Sequence, residues 1–95
     1  MLHKNQTLTV TVYGKKVQVK QVNKTVAKRL YNAGHEIHLL PCRVNINTSW
    51  GLLYTTNAKE CDNVPFDSMV NAFTSYNCNT QLGRYPHYYA VTNLL

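Results

Sequence analysis

The stretch QTLTVTVYGKKVQV, residues 6–19, alternates apolar and polar residues on both sides of one glycine. Leu8, Val10 and Val12 point one way, and Thr7, Thr9, Thr11 and Tyr13 the other. Beyond Gly14-Lys15, Val17 and Val19 alternate with Lys16, Gln18 and Lys20. A period of two across a two-residue break predicts a β-hairpin, and Gly at the first loop position suits a type II′ turn. In that register Val12 faces Val17 and Val10 faces Val19, so one face is apolar and the other carries threonines, Tyr13, Gln18 and lysines. Val22 falls out of frame, so the second strand is expected to bulge or end near Gln21.

The remaining segments extend this start into an α+β chain. NKTVAKRLYNAG predicts a short helix with Asn23 as N-cap and Gly34 just past its end. Val26, Leu30 and Ala33 form its inner stripe, while Lys24 and Lys28, four apart, share the outer face beside Arg29. HEIHLLP predicts a third strand with Ile37 and Leu39 inward and Pro41 closing it. One or two further strands are expected around Trp50, followed by the polar loop TTNAKECDNVP. A second helix follows, with Phe66, Met69, Val70 and Phe73 at i, i+3, i+4 and i+7 and Asp67 in its first turn. After a turn at Gly83, GRYPHYYAVT closes the chain as a strand. The expected order is β-β-α-β-β-α-β: a small, mostly antiparallel sheet with two helices on one face, in a single domain spanning residues 1–95.

At 95 residues and 44% hydrophobic content, the chain suits one modest core and not disorder. No apolar run approaches the ~18 residues of a membrane span, and MLHKNQTLTV lacks the plan of a signal peptide. A cytoplasmic protein without membrane contact is expected. Three widely spaced cysteines, an odd number, fit reduced thiols better than a disulfide framework.

The formal charge of +6 is unevenly spread. Residues 1–43 hold eight of the ten Lys and Arg against one acid, Glu36, whereas residues 44–95 hold Lys59 and Arg84 against Glu60, Asp62 and Asp67. Such asymmetry points to a nucleic-acid, nucleotide or acidic partner, or to a solvated surface that keeps a small protein soluble.

His35, His38, His87, Cys42, Cys61 and Cys78 are zinc-ligand types, but no Cys-x-x-Cys or His-x3-His pair occurs, and His35 and His38 point to opposite faces of a strand. Scattered cysteines of this kind are commonly buried small hydrophobes. Cys61 or Cys78 with His38 or His87 would be the raw material of a thiolate–imidazole pair, without a signature around either cysteine. Four carboxylates leave little for a paired-acid mechanism. There is no Gly-rich phosphate loop and no Gly-x-Ser-x-Gly. A non-enzyme without cofactor or metal is expected.

Binding is the better expectation. Tyr85, His87 and Tyr89 share one face of the last strand, and Pro86, Tyr88 and Ala90 the other. One set is expected to stay partly exposed, where tyrosine beside cations serves base stacking and phosphate contact or a protein-binding hot spot. The alternative is cross-strand packing of amphipathic tyrosines. The partner-binding candidates are Tyr13, Lys16, Lys20, Lys24, Lys28, Arg29, Arg84, Tyr85, His87 and Tyr89. The two edges of an open sheet make a homodimer a further expectation.

Leu40-Pro41-Cys42, Trp50, Phe66-Asp67, Asn71 and Phe73, with Tyr76-Asn77-Cys78-Asn79, Leu82-Gly83, Tyr85 and His87-Tyr88-Tyr89, span about half the chain. In these residues it is similar to short uncharacterised proteins encoded by phages and mobile elements of Firmicutes. The resemblance implies an accessory protein of the anti-CRISPR or wider anti-defence type, working in the host cytoplasm by binding a protein or ribonucleoprotein of a host defence system. The alternative expectation is a module that uses the basic N-terminal half to bind RNA, DNA or a nucleotide signal.

Overall fold

The computed structural model describes residues 7–12, 14–44 and 53–95. The elements in order are β1 (Thr7–Val12), β2 (Lys15–Val22), α1 (Lys24–Asn32), β3 (Ile37–Pro41), β4 (Tyr54–Thr56), α2 (Phe66–Asn77) and β5 (Pro86–Val91), followed by one 3-10 turn (Thr92–Leu94). The five strands form one antiparallel sheet in the order β1-β2-β5-β3-β4. The last strand therefore lies at the centre. The architecture is the expected α+β; Trp50 and any strand around it lie outside the described residues.

Alternation gives the hairpin, but its register differs from the one expected. Val10 pairs with Val17, Leu8 with Val19 and Val12 with Lys15, so Lys15 belongs to β2 and not to the loop. Gly14 has φ +78, a left-handed conformation that glycine adopts without a Cβ penalty. A shift of two residues keeps each side chain on its face, which is why Leu8, Val10, Val17 and Val19 still cluster. β2 has no bulge and ends at Val22, one residue past Gln21 and so near where its end is expected. Val22 itself pairs with Tyr88 and packs against the helix-side core. The odd parity of Val22 serves a sheet that is apolar on both faces.

The Asn23 side chain caps α1 by accepting the Val26 amide at 2.9 Å, and Gly34 follows its end with φ +86. The buried stripe is Ala27, Leu30 and Tyr31 with Val26 at its margin, whereas Ala33, expected inward, is exposed. In α2 the expected Phe66, Met69, Val70 and Phe73 are all buried. Both helices cover Ile37, Leu39, Tyr88 and Ala90 of the sheet. Phe66 meets Tyr31 edge-on at 5.5 Å and Tyr88 at 5.9 Å, so one ring ties both helices to the central strand. On the opposite face Val10, Val19, Leu40 and Tyr89 form a second buried cluster.

The turn from α2 to β5 is held by Asn79, whose side chain accepts the Gln81 and Leu82 amides at 2.8 and 2.7 Å. Gly83 pairs with Asn79 and presses on the end of β3. A Cβ there would lie 2.5 Å from Cys42 Sγ and 2.8 Å from two backbone nitrogens, at φ +118, whereas a Cβ on Gly14 meets nothing within 4 Å. Gly14→Ala should cost about 1 kcal/mol of backbone strain. Gly83→Ala should cost roughly 3–5 kcal/mol, strain plus overpacking. Urea unfolding of the two variants checks the order, and equal losses would refute it.

Candidate functional site

The C-terminal tyrosines resolve first. Tyr88 lies under the helices and Tyr89 is 3% exposed in the second cluster, so neither face of β5 is open along its length. Tyr89, expected as an exposed stacking residue, is a core residue because Val10, Val19 and Leu40 of the other strands pack with it on that face. Tyr85, one residue before the strand, is 60% exposed, and its ring tilts over His87 at 5.9 Å. Arg84 beside it is exposed and His87 half-buried.

The basic candidates divide into separate groups. Lys16 and Lys20 stand on the helix-side face of β2, beyond the part that α1 covers on β3 and β5. Lys24 and Lys28 approach the two oxygens of Asp67 at 3.7 and 4.0 Å, which ties α1 to the first turn of α2. These carboxylate contacts are exposed and contribute little stability. Arg29 is exposed. Arg84 and Tyr85 sit at the sheet end where β2 passes into α1, since Val22 pairs with Tyr88. Lys16 is six residues from Val22, about 20 Å along the strand. Arg84 and Tyr85 therefore lie apart from Lys16, and Tyr13 lies outside the described residues.

The cysteines and histidines of the candidate thiolate–imidazole pairs lie on opposite faces of the sheet. Cys61 and Cys78 pack against the helix-side core. His38 and His87 belong to the other face, at positions paired with Tyr89 and Leu40. Burial, and secondarily Cys42, pushes the Cys78 thiol up from its ordinary value, the opposite of an activated nucleophile. Among the described residues no three His, Cys, Asp or Glu side chains gather as a metal site would require. Burial also pushes the Tyr31 phenol up to about 12, with the Cys61 thiol adding to the effect. Its hydroxyl donates to the Val64 carbonyl at 2.7 Å, so Tyr31 is a tie between α1 and the loop before α2.

A cleft that the sequence pattern did not single out opens between the edge strand β4, the 57–65 loop and α2. It measures ≈ 420 Å³, and Cys61, Val64, Met69, Phe73 and the Tyr54 and Tyr76 rings line it. The loop wall is fixed by the Asn57 side chain, which accepts the Glu60 amide at 2.8 Å, and by successive left-handed residues Asp62 (φ 52) and Asn63 (φ 62). Aspartate and asparagine are the non-glycine types that tolerate this conformation best. The Thr56 hydroxyl lies 2.8 Å from Cys61 Sγ, joining the loop to β4. Tyr54 stacks on Phe73 at 5.7 Å. Tyr76 is 89% exposed although it continues the buried stripe, three residues past Phe73 and seven past Met69. That overrun, a core stripe one turn longer than its core, is the signal in the sequence that marks the cleft.

No protein-family model, curated protein or solved structure matches the chain. Among the described residues no helix is long and apolar enough to cross a membrane.

His38, on the face of the sheet opposite the cleft, gives the fold a pH signature. It is 1% exposed, its Nδ1 lies 2.8 Å from the Thr55 hydroxyl, and its Nε2 has no hydrogen-bond partner among the described residues. Burial lowers its pKa from 6.5 to about 4. The folded state keeps it neutral while the unfolded chain takes up a proton below 6.5. Its contribution is therefore fully present above pH 6.5 and is lost as pH falls towards 4, about 3 kcal/mol in all. His87, lowered by burial, adds a loss of the same sign. Urea midpoints at pH 7.5 and 4.5 should show the native chain losing about 2–3 kcal/mol more than His38→Gln. Equal losses in the two proteins would reject the assignment.

Proposed function

We propose that this chain acts by binding, without catalysis, as a small phage-type accessory protein that inhibits a host defence system. The observation that carries the binding reading is the cleft: an apolar floor on a packed helix, rimmed by Tyr54, Val64 and Tyr76, which are 41%, 39% and 89% exposed. Large tyrosines around a concave apolar floor are what a protein-binding anchor site uses, and a tyrosine as exposed as Tyr76 contributes little to the core. The resemblance to proteins of phages and mobile elements supplies the biological setting, a protein or ribonucleoprotein of the host's defence as target. Immobilised protein should retain such a component from bacterial lysate, and expression should raise phage plating on strains that carry the system. Ala72→Arg, at an exposed position lining the cleft, should abolish both effects without changing the melting temperature. Retention of no defence component together with unchanged plating would reject this reading.

A second reading rests on Lys16, Lys20 and Arg29, cations without a carboxylate partner among the described residues. These would contact phosphates of RNA, DNA or a nucleotide signal, with Tyr85 available for stacking on a different part of the surface. With these three phosphate contacts, affinity for a single strand should fall about 20-fold between 50 and 200 mM salt. Fluorescence anisotropy with labelled oligonucleotides measures this. No binding at 50 mM salt would remove the reading.

A further inference from the structure

The cleft differs in charge from the rest of the chain. Three of the four carboxylates fall between residues 60 and 67. Asp67 is occupied by Lys24 and Lys28. Asp62 lines the cleft, and Glu60 stands in the same turn, exposed; neither has an ion-pair partner among the described residues. Lys59, the neighbouring cation, turns towards α1: its Cε lies 3.2 Å from the place a Cβ on Gly34 would take. Among the described residues no lysine or arginine lines the cleft. A chain with formal charge +6 thus carries an apolar groove with an acidic rim.

We propose that this groove docks an apolar side chain presented by a basic peptide segment of a partner protein. The inference rests on the binding reading above and assigns the chemistry of the partner. A leucine or aromatic anchor would enter over Met69 and Phe73, between the Tyr54 and Tyr76 rings. Lysine or arginine on either side of it would meet Asp62 and Glu60. The volume lies at the lower end of the ~300–1,000 Å³ range of ligand sites, which suits one or two large side chains and not a folded domain. Nucleic acid is disfavoured here, because its phosphates would face the two carboxylates. Electrostatic matching of this kind selects partners and sets register more than it adds raw affinity.

The test uses two fluorescein-labelled octapeptides, each with a central leucine and tryptophan. One is flanked by arginines and the other by glutamates. Anisotropy is read at 150 mM salt, where the Debye length of about 8 Å leaves the local rim and not the net charge in control. The arginine peptide should bind at least tenfold more tightly. Ala72→Arg should abolish its binding. Glu60→Gln with Asp62→Asn should cut the preference below threefold; asparagine keeps the left-handed conformation of position 62. Circular dichroism should confirm that each variant is folded. Preference for the glutamate peptide, lost in Ala72→Arg, would overturn the partner chemistry while leaving the cleft as a binding surface. Binding of neither peptide would overturn the proposal, and the plating experiment decides the inhibitor reading separately. Arginine-peptide binding untouched by Ala72→Arg would also overturn it. So would a dimer in light scattering that Ala72→Arg converts to monomer, since a second copy would then occupy the groove.

Discussion

The fold depends on the insertion of β5 between β2 and β3. Without it the sheet is two separate hairpin-like pairs, β1-β2 and β3-β4, joined through α1. With it, backbone pairing runs across five strands, and each face gains a tyrosine from adjacent positions, Tyr88 on one side and Tyr89 on the other. The partner residues are far apart in sequence, as Val19 pairs with Val91 and Ile37 with Ala90. Closing such loops costs entropy before the contacts reward it. Consolidation of the core therefore waits for the last part of the chain. The crowding of Gly83 against Cys42 lies at the point where the chain turns into that central strand.

The same constraint explains what could be read from the sequence and what could not. Period two in β1 and β2 and the 3.6-residue stripe of α2 are local, and they appear as expected. The hairpin register differs from the expected one by two, because Lys15 pairs with Val12 and, of Gly14-Lys15, the glycine alone is left on the loop side of β2. Tyr31, next to Leu30, lies at the edge of the helical stripe, and only a second helix brings Phe66 against it. Parity correctly sorted Tyr88 from Tyr89. Parity cannot say whether a face is covered, so the burial of Tyr89 followed only from the place of β5 in the sheet.

Candidate binding residues show the limit more sharply. Basic residues clustered in sequence spread over β2 and both ends of α1, and two of them turn to Asp67. The cleft instead takes its walls from β4, from a loop shaped by Asn57, Asp62 and Asn63, and from α2. None of these segments is distinctive alone. Tyr76 was the legible part, since it extends the stripe of Phe66, Met69, Val70 and Phe73 one turn beyond the residues that the core can use.

An apolar stripe that outruns its core has a cost in solvent exposure, and a small domain has few ways to offset it. Here the exposed end is not left flat. Stacking of Tyr54 on Phe73, the Thr56–Cys61 contact and the Tyr31 hydroxyl on the Val64 carbonyl hold three sides of a concave surface in place. Each contact comes from a different element, so the shape is set before any ligand arrives, and little ordering entropy remains to be lost on binding. Preorganised apolar walls, with Asp62 and Glu60 without an ion-pair partner among the described residues, favour recognition of a short, specific segment over broad electrostatic attraction. The net positive charge of the chain works against a basic segment at long range. Selectivity for such a partner must then arise at contact distance, within the cleft itself.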